Sequence, residues 1–126
     1  MIQGHVNADL QAKIPIAVVG KSGKRSTLEA VVDTGFSGDL CISIFAKDKI
    51  ALAFSHVEKF ELGDGSAPDQ YVYVGQLIFD EQALGVDVLV SKSRDTLIGA
   101  ALLANKKFEV DYPNKTVRIR NSRKKK

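Results

Sequence analysis

The apolar residues of this chain come in short segments of strand period, each closed by a turn signal, and that pattern confines it to a β-rich fold. Residues 12–19, AKIPIAVV, alternate and then run apolar. Gly20-Lys21-Ser22-Gly23-Lys24 is a turn, and residues 27–32, TLEAVV, return from it, so the two segments read as a hairpin. Residues 40–45 read as a further short strand, and residues 46–54, AKDKIALAF, as a short helix with Ile50, Ala53 and Phe54 on one side. Val57 to Leu62 and Gln70 to Phe79 flank Gly63-Asp64-Gly65-Ser66 as two strands of one hairpin, since Asp-Gly is a strong hairpin signal. Residues 84–90, LGVDVLV, form another strand. After Leu97-Ile98-Gly99 the segment AALLANKK reads as a short helix, and KFEVDY, Pro113-Asn114 and KTVRIR as a closing hairpin. The expected class is all-β, with one or two short helices.

At 126 residues the chain is of single-domain size and long enough to bury a core without staples. Cys41 is the one cysteine, so no disulfide forms within the chain. Its net charge of +3 belongs to its end: residues 118–126, RIRNSRKKK, hold six basic residues and no acid, leaving 12 Lys+Arg against 15 Asp+Glu elsewhere. The expected organisation is one domain over residues 1–120 and a solvated basic tail over 121–126. The tail is also the one feature that would suit nucleic acid or anionic lipid. No aromatic-studded basic stripe accompanies it, so no nucleic-acid partner is expected. No apolar run is long enough to cross a bilayer, and the first residues lack the charged and apolar blocks of a signal peptide. No membrane association and a cytoplasmic location are therefore expected. His5 and His56 fit no ligand spacing, so no metal or other cofactor is expected.

Three elements carry chemistry. The first is Asp33-Thr34-Gly35, which follows the apolar run Ala30-Val31-Val32. A carboxylate at the end of an apolar strand is costly to bury unpaired, and on a tight turn its proton affinity is open to tuning by desolvation and by a partner. That suits general acid–base work. Asp, Thr and Gly are also ordinary turn residues, so the tripeptide alone reads equally as a β-turn. The second is Leu97-Ile98-Gly99, two large apolar residues and then a place that needs no side chain, or simply a strand-to-helix junction. The third is Gly63-Asp64-Gly65-Ser66, a glycine-bearing tip on two alternating strands, either a mobile arm or a plain hairpin turn.

The order of these elements resembles the retroviral-type, retropepsin-like aspartic proteases, and most of all their small bacterial relatives, in which the wording VDTGFSG recurs, here Val32 to Gly38. The resemblance spans about Thr27 to Ile119. It implies a closed single-lobe acid-protease barrel with a flap hairpin and one short C-terminal helix. It implies Asp33 as the catalytic carboxylate, Thr34 as the residue that ties two catalytic loops together by hydrogen bonds, and Gly35 as the point of close backbone approach. It makes Gly63, Asp64, Gly65 and Ser66 the flap tip, and sets Gly99 beneath the catalytic loop with Leu97 and Ile98 packed behind it. The chain departs from the pattern at Phe36, where these enzymes usually carry Ala or Ser, and at the acidic Asp64 of the flap. Neither Tyr71 nor Tyr73 aligns with the flap tyrosine of the pepsins.

The chemistry that the resemblance implies needs two carboxylates sharing one proton and one water. The chain carries one D-T-G and is about half the length of a two-lobed enzyme, so the second Asp33 is expected from a second copy across a two-fold axis. The chain ends, Thr116 to Arg120 and residues 1–7, are the expected interface, and a peptide substrate is expected as an extended strand between flap and floor. The function so implied is an aspartic endopeptidase. Phe36 keeps open a dimeric peptide-binding module of the same fold without turnover, and the basic tail keeps open a nucleic-acid-associated barrel.

Overall fold

The computed structural model describes residues 1–59 and 63–122. The expected strand end Phe60-Glu61-Leu62 and the tail residues Arg123–Lys126 lie outside the described residues. Among the described residues ten strands form one sheet: β1 (Ile2–Val6), β2 (Ala12–Val19), β3 (Arg25–Val32), β4 (Leu40–Ser43), β5 (Ala53–Lys59), β6 (Asp69–Phe79), β7 (Gln82–Ser91), β8 (Thr96–Ile98), β9 (Lys106–Asp111) and β10 (Thr116–Asn121). Their order is β5-β6-β7-β4-β8-β3-β2-β1-β10-β9, and an added β6–β2 pairing closes β6, β7, β4, β8, β3 and β2 into a barrel.

Strand β2 makes the closure possible by dividing its outer edge. Lys13 and Ala12 pair with His5 and Val6 of β1, whereas Ala17, Val18 and Val19 pair with Ile78, Leu77 and Gln76 of β6. Pro15 sits in the interval between the two partners and faces only Glu29 of β3. A proline has no N–H for a second ladder, so it is tolerated where the second ladder is interrupted. The other residues of β2 follow the strand alternation that the sequence shows. Ala12, Ile14, Ile16 and Val18 point into the core, where Ile14 and Val18 are fully buried.

The core fills the barrel with Phe79, Leu40, Ile42, Leu77, Ile98 and Val88, and continues under the β1–β10–β9 extension with Val117 and Ile119. The last three residues of β3, Ala30, Val31 and Val32, are all buried. There β3 is paired on both edges, by β2 and β8, and successive residues that point to opposite faces are all buried, which is why this stretch reads as a continuous apolar run.

The helical expectations are shortened. Of residues 46–54 only Ala46 and Lys47 are helical. The Ser43 hydroxyl caps a single turn, α1 (Ile44–Lys47), by accepting from the Phe45 N–H. Ile50 and Leu52 then turn into the core, and from Ala53 the chain pairs with β6. Pairing across the hairpin overrides the weak helical pattern. The segment after Gly99 is one 3-10 turn, Ala100–Leu103, and Lys106 already opens β9. A strand at the N-terminus, β1, was not foreseen. It lies between β2 and β10, while β10 has β1 on one side and β9 on the other. Both edges of Thr116–Ile119 are thus occupied within the chain, so most of the closing strand expected at a dimer interface has no open edge. No helix among the described residues is long and apolar enough to cross a membrane.

The Phe79 side chain is fully buried in this core. Phe79→Ala is expected to lower unfolding stability by about 3–5 kcal/mol, read from denaturant melts.

Candidate active site

The site is built where β8 inserts between β3 and β4. Strand β3 runs into Asp33, the chain turns through residues 34–39 and leaves as β4, and β8 pairs parallel with Ala30–Val32 and antiparallel with Leu40–Cys41. Three backbone bonds fasten the turn to the inserted strand. The Asp33 N–H donates to the Ile98 carbonyl (2.9 Å), the Gly99 N–H to the Asp39 carbonyl (2.9 Å) and the Ala100 N–H to the Phe36 carbonyl (2.7 Å). The Phe36 N–H closes the turn on the Asp33 carbonyl (3.1 Å), and Asp33 Oδ1 accepts from the Gly35 N–H (3.0 Å). One oxygen of the carboxylate is thereby oriented by backbone. The Asp33 residue is half-buried, while Thr34 and Gly35 beside it are exposed.

Gly99 is where inserted strand and turn come closest. A Cβ at this position would stand 1.9 Å from the Gly38 carbonyl oxygen, so only glycine fits. Phe36 completes the contact, its ring lying over Gly38, where a Cβ would meet Cζ at 2.7 Å. The bulky residue after the triplet is therefore packed against Gly38 of its own turn and Gly99 at the end of the inserted strand, and also forms part of a cleft wall. Ile98 is buried in the core. Leu97 is half-buried and faces the groove that Asp33 lines.

The turn divides two depressions. On one side a cleft of about 510 Å³ is walled by Gly35 to Asp39, by Asp87 and Leu89 of β7, and by Glu58, Gln70 and Val72 of the β5–β6 hairpin. On the other side a groove of about 540 Å³ contains Asp33 and Thr34, with Leu97, Phe108, Val110 and Tyr112. Sequence reasoning had not picked out the acidic members of the cleft. Asp39 accepts from the Asp87 N–H through Oδ2 (3.1 Å), and Glu58 holds His56 Nε2 at 2.6 Å. The available signal was alternation: Glu58, Gln70 and Val72 share the cleft face of the hairpin, whereas Tyr71 and Tyr73 share the other. There Phe54 meets both tyrosine rings edge-on, at 5.9 and 5.8 Å between centroids, and Lys47 Nζ lies 4.8 Å from the Tyr73 centroid. Neither tyrosine is on the cleft side.

The hairpin tip keeps the expected turn. Gly65 has φ +85°, and Asp64 Oδ1 accepts from Ser66 Oγ (2.6 Å) and the Ser66 N–H (2.9 Å). The Ser66 hydroxyl, with the backbone N–H second, holds the Asp64 carboxyl below its usual value. Residues Gly63 to Ser66 do not line the cleft, which is walled by the hairpin's arms. Cys41, behind the turn on β4, is buried, and burial pushes its thiol up, away from nucleophile chemistry. Among the described residues no three His, Cys, Asp or Glu side chains group as a metal site.

No family model and no curated protein sequence matches the chain. Solved structures do. A retropepsin-like aspartic protease from Rickettsia conorii superposes with a TM-score of 0.63 at 18% identity, covering 94% of this chain and 88% of that one. An EIAV protease, complexed with the inhibitor HBY-793, superposes with a TM-score of 0.56 at 12% identity, covering 78% of this chain and 89% of that one. The fold is retropepsin-like. It is an all-β closed barrel with a flap hairpin, β5–β6, standing over the turn that bears Asp33.

Gly99→Ala is expected to destabilise the retropepsin-like barrel by about 1–3 kcal/mol or more, measured by denaturant unfolding, because the displaced carbonyl is backbone and cannot rotate away. NMR titration of the flap should show Asp64 ionised to below the ordinary aspartate range. A depressed carboxylate loses its folded-state advantage only as pH falls through that lowered value. Ser66→Ala should raise its midpoint part of the way back, since the N–H bond persists.

Proposed function

We propose that the chain is an aspartic endopeptidase, with Asp33 as its catalytic carboxylate and a second Asp33, from a second copy in a homodimer, completing the site. The observation that carries this reading is the seat of Asp33. It is a half-buried carboxylate at the end of an apolar strand, with one oxygen fixed by the Gly35 N–H, beside a cleft covered by a hairpin. The retropepsin-like fold supports it.

Two carboxylates roughly 3 Å apart cannot both ionise, and aspartic proteases are the reference case for this. The ionised member takes a proton from a water as that water attacks the scissile carbonyl carbon. The protonated member gives its proton to the carbonyl oxygen, and the resulting diol collapses with proton transfer to the leaving amine. The two protonation steps belong to the pair. In this scheme Thr34 ties the two loops across the two-fold axis, Gly35 admits the backbone of substrate and partner, and Leu97, Ile98 and Gly99 hold the loop from behind. The flap hairpin, with Gly63 to Ser66 at its tip, folds over an extended peptide and excludes water. The single domain expected over residues 1–120 runs one residue further, to Asn121 at the end of β10, and a cytoplasmic location fits the reading.

The cleft carries Asp39, Glu58 and Asp87, and no Lys or Arg among its described lining residues. Its field favours cationic peptide side chains.

Asp33→Asn is expected to reduce peptide cleavage at mildly acidic pH by about 10²-fold to 10⁴-fold or more, measured on a fluorogenic peptide library. Cleavage at the parental rate would exclude Asp33. Absence of cleavage by the parent chain, with peptide still bound, would establish the binding module instead. In paired peptides that differ only by Lys against Glu beside the cut, the lysine peptide should have the higher kcat/KM, and salt should narrow the difference.

A further inference from the structure

We infer that the second copy docks on the open edge of β9 and on the apolar rim next to it, rather than on the closing strand β10. This rests on the reading of Asp33 as half of a dyad, and it names the surface that brings in the other half.

The sheet ends in two edge strands, β5 and β9. Strand β5 is an arm of the flap, and a register shift between Phe54 and His56 interrupts its ladder. Such irregularities blunt an edge against pairing. Strand β9 pairs with β10 over six successive positions with no shift, contains no proline, and among the described residues has no strand on its other side. It is the edge best formed for strand addition.

Its sequence suits one occupant. Lys106 and Lys107 stand at one end of Lys106–Asp111, Glu109 and Asp111 toward the other. Antiparallel apposition of two copies sets the lysines of each beside the acids of the other, whereas parallel apposition sets like charges together. A two-fold axis through Phe108 faces Lys107 with Glu109 of the second copy. Lys107 is exposed and only loosely paired with its own Glu109, at 3.9 Å, while Glu109 also holds Arg120 at 2.7 Å and would share its second oxygen with the incoming lysine; Lys106 is engaged by Asp80 and Asn121. Edge lysines ordinarily discourage pairing; here the same strand carries their counter-charges. Self-complementarity of this kind defines an isologous contact.

The surface adjoins the site. Phe108 and Val110 of β9 line the same groove as Asp33 and Thr34, on the opposite side of the turn from the flap cleft. Two large side chains on that rim, Leu10 at 68% and Tyr112 at 54%, are left exposed. Docking on β9 would cover both and bring the second copy's Asp33–Thr34 turn to the mouth of the groove. The same juxtaposition explains how a chain whose β10 is sealed between β1 and β9 still dimerises.

Sedimentation velocity over a concentration series tests this with the full chain, Asp33→Asn, Leu10→Asp, Lys107→Glu and Glu109→Lys, each checked for folding by far-UV circular dichroism. The parent and Asp33→Asn should both dimerise, and Asp33→Asn should not cleave. Leu10→Asp, Lys107→Glu and Glu109→Lys should each raise the dimer Kd at least tenfold. An equimolar mixture of Lys107→Glu with Glu109→Lys should recover most of the loss, which a misfolded variant could not do. A parent that cleaves as a monomer overturns the inference. So does a dimer indifferent to Lys107→Glu, or a Lys107→Glu chain whose dimer is intact while KM rises, since the edge would then take substrate. If the variants behave as stated but no chain cleaves peptide, the docking surface stands and the protease reading falls. If cleavage depends on Asp33 while the dimer ignores β9, the reverse holds.

Discussion

Everything at this site depends on one close approach, the passage of the Ile98-Gly99-Ala100 backbone beneath the turn between β3 and β4. A hydrogen-bonded strand pair normally requires adjacent chains to meet edge to edge, yet here a three-residue strand from far along the sequence enters between two strands that are near neighbours in sequence. The bonds from Asp33, Gly99 and Ala100 then leave the turn little freedom to relax. Because the turn cannot relax, the carboxylate is held in one place by the backbone alone. Preorganisation of that kind is what the proposed acid–base role would draw on. The absence of a side chain at Gly99 is the condition for it, and the Phe36 ring over Gly38 fills the space that small residues leave.

The rest of the architecture serves this insertion. The division of β2 between β1 and β6 closes the barrel and steadies β3, which β2 pairs along its whole length. The barrel wall made by β6 and β7 carries the hairpin to its position over the turn. Its two faces do different work, with Gln70 and Val72 toward the cleft and Tyr71 and Tyr73 braced against Phe54 on the other side.

Strand period made most of the barrel legible in the sequence. The AKIPIAVV–TLEAVV hairpin, the long alternating segment ending at Phe79 and the closing hairpin at Pro113-Asn114 all follow from alternation and turn chemistry, which are local. What local pattern cannot supply is which strands become neighbours. The β1 strand, IQGHV, is too short and too weakly apolar to announce itself, and it exists because β2 and β10 leave a gap of its width. Residues 46–54 differ from expectation because Ile50, Ala53 and Phe54 have helical spacing, yet Ile50 is buried by a turn into the core while Phe54 stands exposed on β5. At the site, Asp33, Gly35 and Gly99 were visible as residue types in order. Asp39, Glu58 and Asp87 were not, because they converge from three different strands or turns and nothing in their spacing records that.

The insertion of β8 also fixes an order of assembly. Residues 30–43 can form neither their final sheet nor their turn until residues 96–100 have been made, because the strand that separates β3 from β4 is among the later parts of the chain. Pairings so distant in sequence are slow to form. On a ribosome adding residues from the N-terminus, the carboxylate emerges early and stays without its frame until Ala100 has passed the exit. In a nascent chain of this kind the turn that bears Asp33 therefore gains its frame only after four fifths of the sequence has been made.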